Sequence, residues 1–73
     1  MKYQIYSPAK GYMSVSMQTG LPVWYRSPDM GYMYDLEDAR VVVSQLLSFG
    51  HIEGGLYLRE YKTERFIEQN QNQ

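Results

Sequence analysis

YDLEDARVVVSQLLSFG, residues 34–50, is the stretch of this 73-residue chain whose apolar residues recur with a helical period. Wound as a helix, Leu36, Ala39, Val43, Leu46 and Leu47 fall on one stripe of about 100°, flanked by Val42 and Phe49. Arg40, Ser44, Gln45 and Ser48 take the other side. Asp35 is a good N-cap, and Glu37 and Asp38 stand in the first turn, where carboxylates complement unpaired amides and the positive end of the helix dipole. Gly50 suits the left-handed position that closes a helix, and His51 lies near the negative end. The pattern predicts one helix over roughly residues 35–49, with an apolar stripe that must be covered. On both sides of it the chain alternates with the period of strands, so the stripe faces a sheet.

Upstream, Tyr3 and Ile5 alternate with Gln4 and Tyr6, while Met13, Val15 and Met17 alternate with Ser14 and Ser16. Leu21 to Ser27 (LPVWYRS) is a third run rich in strand formers, and Tyr32 to Tyr34 is a short fourth. Two connections share their letters: SPAKGYM at 7–13 and SPDMGYM at 27–33 agree at five of seven positions. Proline presets φ, serine can bond the turn backbone and glycine accepts φ > 0, so both read as hairpin turns built from the same residues rather than as a repeated binding loop. Thr19-Gly20-Leu21-Pro22 turns the chain between the two hairpins. Downstream of Gly54-Gly55, Leu56 to Lys62 (LYLREYK) reads as a last strand, with Leu56 and Leu58 against Tyr57, Arg59 and Tyr61. The remainder turns polar and ends in a Gln/Asn run that cannot bury enough apolar area to offset its ordering entropy. A single domain over 1–66 and a disordered tail over 67–73 are expected.

The resulting fold class is α+β: a single antiparallel sheet, ββββαβ or βββαβ in order, with one helix packed on one face. Alternation assigns Tyr3, Ile5, Met13, Val15, Met17, Leu56 and Leu58 to the covered side and Tyr6, Tyr12, Tyr57, Arg59 and Tyr61 to the open one. In the third strand Trp24 shares a face with Arg26 and Val23 with Tyr25, so alternation leaves Trp24 either in the core or facing out.

Composition narrows the function. Seven Lys and Arg against eight Asp and Glu leave a net charge of −1, without the basic excess that exchanges with phosphate counterions, which counts against nucleic acid as a direct ligand. Asp29, Asp35, Glu37 and Asp38 cluster instead into an acidic patch near the helix start. With no cysteine there is no disulfide, thiolate zinc site or cysteine nucleophile, which fits a reducing cytoplasm. The N-terminal Met1-Lys2-Tyr3-Gln4 lacks the apolar run of a signal peptide, and no stretch reaches the ~18 apolar residues of a membrane span, so a soluble, unanchored protein is expected. His51 is the only histidine and has no ligand-spaced partner. The carboxylates Asp35, Glu37 and Asp38 occupy capping positions, and Gly50, Gly54 and Gly55 do not make a strand–glycine–helix phosphate loop. No catalytic residue, metal site or cofactor is expected, and the chain does not read as an enzyme.

An open sheet face bearing tyrosines and arginine can anchor a protein partner, because these residues are enriched in hot spots. It can also stack single-stranded bases. Against both stands the plain reading that tyrosine is a good strand former whose ring covers its neighbours. Residues 24–46, WYRSPDMGYMYDLEDARVVVSQL, resemble small phage-encoded proteins in which a β-meander bearing tryptophan passes through an aromatic-Asp-x-x-x-Ala helix start into one amphipathic helix and a closing strand. Tyr34, Asp35 and Ala39 match that pattern; the SPxxGYM turns and the tyrosine-rich last strand do not. The resemblance implies a protein that acts in the host bacterial cytoplasm by binding bacterial RNA polymerase, inhibiting initiation and promoting antitermination. On that reading Trp24, Arg26, Tyr57, Arg59 and Tyr61 are the anchors, while Asp35, Glu37 and Asp38 face basic residues of the partner. A single-stranded nucleic-acid-binding module on the same face is the alternative, and pairing of exposed strand edges is a third possibility. A monomer is expected.

Overall fold

The computed structural model describes residues 1–69. Strands β1 (Tyr3–Ser7), β2 (Gly11–Val15) and β3 (Pro22–Tyr25) lead through a 3-10 turn at Pro28–Met30 into helix α1 (Leu36–Ser48), followed by β4 (Leu56–Glu60) and β5 (Phe66–Gln69). All five strands join one antiparallel sheet in the order β3-β2-β1-β4-β5. With one helix laid on one face, this is the α+β architecture that the periodicities imply.

The registers place Ile5 opposite Leu58 and Met13 opposite Trp24, so these side chains share the helix-facing side. There Ile5, Met13, Leu56 and Leu58 meet Ala39 and Val43 of α1 to form the core, with Trp24, Tyr34, Leu36, Val42, Leu46 and Leu47 packed around it. Each fully buried aliphatic side chain contributes about 1.5–3 kcal/mol through removal from water. Trp24 therefore belongs to the helix side. Arg26, beyond the end of β3, donates instead to the carbonyls of Pro8 (3.3 Å) and Ala9 (2.7 Å), tying the β1–β2 turn to the sheet edge.

Met17, assigned to the covered side, lies beyond β2 and is fully exposed, whereas Val15 keeps that side but at its rim, 37% exposed. Strand β2 stops at Val15 because Ser16 Oγ accepts from the amides of Gln18 and Thr19, offering the backbone a local turn in place of the ladder. Phe49, expected to flank the helical stripe, is the C-cap residue and is 88% exposed. Asp35 occupies the N-cap position, yet its side chain makes no capping bond; Lys2 holds its carboxylate at 2.7 Å.

The paired SPxxGYM segments adopt different structures. In the first, Lys10 N donates to both the carbonyl (3.2 Å) and the hydroxyl (3.1 Å) of Ser7, and Gly11 takes φ +107° as the hairpin closes. In the second, Ser27 caps a 3-10 turn, accepting from the amide of Asp29, and Gly31 sits at φ −75° in extended backbone. The expected second hairpin does not form, because the chain does not fold back along β3. It crosses the face of the sheet opposite the helix, where Gln4, fully buried, donates from Nε2 to the carbonyls of Pro28 (2.6 Å) and Gly31 (3.3 Å). The next residues wedge between β1 and β2: Tyr32 N donates to Met13 O (3.0 Å), while Tyr34 and Tyr3 exchange both backbone bonds at 2.8 Å. Tyr32 to Tyr34 is thus a bridge inside a splayed pair rather than a strand.

The expected disordered tail is corrected at residues 67–69, which belong to β5; residues 70–73 lie outside the described residues. Leu58 pairs with Ile67 and Arg59 with Phe66. The intervening turn is built on Glu60, whose amide donates to Arg65 O (2.8 Å), whose carbonyl accepts from Glu64 N (2.7 Å) and whose carboxylate accepts from Thr63 (2.6 Å).

Candidate functional site

Tyr6, Tyr12, Tyr57 and Arg59 do share the face away from α1, since Tyr6 is opposite both Tyr12 and Tyr57, and Gln4 is opposite Arg59. That face is only partly open, with Phe66 45% exposed on it. The 28–31 crossing covers Gln4 and leaves Tyr12 buried, and Tyr57 is half-buried. The Arg59 side chain, 11% exposed, donates from Nη1 to Gln4 Oε1 at 2.7 Å, lies over the Tyr12 ring at 5.9 Å and approaches Glu64 at 3.6 Å. An arginine so engaged holds the crossing segment to the sheet and has little charge left to offer a partner. The rings of Tyr6, Tyr12 and Phe66 pack tilted or edge-on, with centroids 4.7 and 5.0 Å apart. They satisfy one another. Base stacking needs exposed ring faces beside unpaired cations, and Glu68, opposite Tyr57 on this same face, adds a negative charge.

The residues proposed from sequence as anchors thus divide. Trp24 lies on the helix side, half-buried, with Lys10 Nζ 5.9 Å from its ring centroid. Arg26 is at the surface with its guanidinium on the turn carbonyls of Pro8 and Ala9. Tyr61, just past β4, is exposed and lies at one end of the sheet, where its amide donates to Lys2 O at 2.9 Å.

At that end the surface becomes aromatic and acidic. Two hollows meet at Met33: one runs between Pro28, Asp29, Arg59, Tyr61 and Glu64, the other between Lys2, Tyr32, Asp35, Asp38 and Val41. Tyr61 is 52% exposed and Tyr32 53%, with the ring of Tyr32 braced edge-on against Tyr34 at 4.7 Å. Asp29, Asp35, Asp38 and Glu64 contribute carboxylates against Lys2, Lys62 and Arg59; Lys2 pairs with Asp35 and Arg59 approaches Glu64, so Asp29 and Asp38 carry the acidic excess. Glu37, also exposed, adds another in the first turn of α1. Tertiary structure therefore brings Tyr61 together with Asp35 and Asp38, 23 or more positions apart in sequence, and separates them from Trp24.

Lys2 and Asp35 hold each other charged. The hydrogen bond and charge of Lys2 lower the Asp35 carboxyl below its ordinary value, and Asp35 raises the Lys2 ammonium in the same way. Burial raises the Tyr34 phenol, with a smaller contribution from Tyr32. Sequence reasoning missed Tyr32, Met33 and Lys2 as part of this surface. Tyr32 and Met33 were assigned to a strand, and only the wedge between β1 and β2 turns them to the molecule's end.

Among the described residues, no cluster of His, Asp and Glu is arranged to hold a metal ion, and no helix is long and apolar enough to cross a membrane. Compared with protein-family models, characterised proteins and solved structures, the chain matches none.

Proposed function

We propose that the chain acts by binding another protein through its aromatic, acidic end, and that the partner is bacterial RNA polymerase, whose initiation it inhibits and whose elongation it renders resistant to termination. The observation that carries the reading is the setting of Tyr32 and Tyr61 on either side of Met33: two tyrosines each about half exposed, amid Asp29, Asp35, Asp38 and Glu64. Rigid, amphipathic tyrosines offer contact area at low entropic cost, and the surrounding carboxylates select a basic partner surface and speed encounter with it. The choice of polymerase rests on the resemblance of residues 24–46 to phage-encoded regulators. The far face of the sheet contributes to the reading indirectly, because its aromatic rings and Arg59 are engaged with one another and with Gln4.

The test is binding of nuclease-treated, purified bacterial RNA polymerase by wild type and by a Tyr32→Ala/Tyr61→Ala variant whose fold is checked by circular dichroism. Tyr32 contributes its backbone amide to Met13, and Tyr61 its amide to Lys2, so neither ring is needed for the sheet bonds. Loss of two hot-spot rings should weaken binding by on the order of tenfold or more. Equal binding by the folded variant would move the interface elsewhere. Failure to bind polymerase, together with quenching of tyrosine fluorescence by a single-stranded oligonucleotide, would replace this reading with the nucleic-acid one.

A further inference from the structure

Beside the C-terminal half of α1 the surface is apolar, with Lys10 and His51 lying on the other side of Phe49. The loop after β2 and the last turns of α1 enclose a hollow of about 280 Å³ whose walls include Val15, Leu21, Pro22, Val42 and Leu46, and no charged side chain lines it. Phe49 stands on its rim, 88% exposed. Leu21 is largely exposed and Met17, from the same loop, fully so. Large apolar side chains scattered singly need no explanation, but Leu21 and Phe49 both border one apolar hollow and form a patch that water disfavours.

We infer that two copies of this chain associate about a two-fold axis, each inserting Phe49 into the other's hollow between the β2–β3 loop and α1. An exposed knob adjoining its own concave receptor is the arrangement an isologous contact requires, because one rotation places both knobs over both hollows. The lining carries no charge for an acidic or basic partner to select, and a net charge of −1 per chain opposes self-association only weakly. The exposed parts of Val15, Leu21 and Phe49 amount to roughly 350 Å² per copy, so these residues bury about 700 Å² in all, in the range of weak contacts rather than of standard specific interfaces. The dimer is therefore weak and forms at high concentration. Its surface shares neither Tyr32 nor Tyr61 with the proposed partner site, although Tyr34 and Val42 border both hollows.

Sedimentation equilibrium tests this. Wild type should rise from the 8.6 kDa monomer towards twice that mass as concentration increases from about 10 μM to about 1 mM. Phe49→Lys should remain monomeric throughout, and Leu21→Ser should weaken association by roughly tenfold. Phe49 supports the fold through its backbone amide, which donates to Leu46 O at 3.2 Å, so the substitution leaves the thermal midpoint nearly unchanged, and a cation suits a helix C-terminus. A wild type that stays at 8.6 kDa near 1 mM would overturn the inference. So would a folded Phe49→Lys that dimerises like wild type, or dilution-dependent NMR shifts confined to the edge strand Phe66–Gln69.

Discussion

Replacing Gly31 by alanine isolates the packing that covers the far face of the sheet. Its φ of −75° is open to any residue, so backbone preference alone predicts a gain of about 0.4–1 kcal/mol from the stiffer unfolded chain. The structure predicts the opposite sign. A Cβ built on Gly31 lies 2.8 Å from Gln4 Nε2 and 3.1 Å from Tyr12 Cβ. Gln4 is fully buried and held by Pro28 O, Gly31 O and the Arg59 guanidinium, so it can yield only by lengthening or breaking those bonds. Overpacking costs about 1–3 kcal/mol and one weakened buried hydrogen bond about 1 more, leaving a net loss of about 1–3 kcal/mol after the entropic gain. With a urea m-value near 1 kcal/mol/M for a chain of this size, the unfolding midpoint should fall by about 1–3 M. Gly11→Ala should cost more, since its Cβ would lie 2.2 Å from the backbone oxygen of Tyr25 and its φ is +107°. In a Gln4→Ala background the penalty at Gly31 should shrink, a coupling that urea unfolding of the four proteins of the cycle would measure. A Gly31→Ala protein as stable as wild type, or more stable, would refute the account of the crossing segment.

Arg59→Ala should destabilise the fold by about 1–3 kcal/mol, because it leaves Gln4 Oε1 buried without its donor; chemical unfolding distinguishes this from the loss of a surface anchor, which would leave stability unchanged. Trp24→Ala should cost about 2 kcal/mol, as a half-buried ring against Met13 and the helix is removed, and a wild-type fluorescence maximum matching free tryptophan would contradict that placement. The pH dependence has two limbs. Tyr34, raised above its ordinary 10.0 by burial, and Lys2, raised above 10.5 by Asp35, each contribute stability that is complete below those values and is lost as pH climbs through the raised ones. The thermal midpoint should therefore decline above about pH 10, and Tyr34→Phe should flatten part of that decline. Asp35, lowered from 3.8 by Lys2, contributes above 3.8 and loses that contribution as pH falls through its lowered value, so Asp35→Asn should remove this part of the acid limb.

Local chemistry made several elements legible. The helix announced itself through Leu36, Ala39, Val43, Leu46 and Leu47, and alternation placed Ile5, Leu56 and Leu58 in the core. β5 was hidden because its turn contains none of the residues that usually mark one. Glu64 takes the left-handed conformation, at φ 60°, and Glu60 and Thr63 supply side-chain bonds that glycine or asparagine turns do without. Of the candidate surface, Asp35, Glu37, Asp38 and Tyr61 were legible as polar or aromatic residues; their partners Tyr32 and Met33 were not.

Periodicity by itself determined one helix, an antiparallel sheet and the faces taken by the residues of β1, β2 and β4, because these depend on neighbours within a few positions. The paired SPxxGYM segments mark where that reach ends. Ser7 and Ser27 bond their own turns alike, yet Gly11 is needed for its φ and for the approach of Tyr25, and Gly31 for room beside Gln4 and Tyr12. Identical letters gave a hairpin in one place and a crossing in the other. The difference lies in Gln4, buried in β1 more than twenty residues away, whose amide needed acceptors that only the second segment could bring to it.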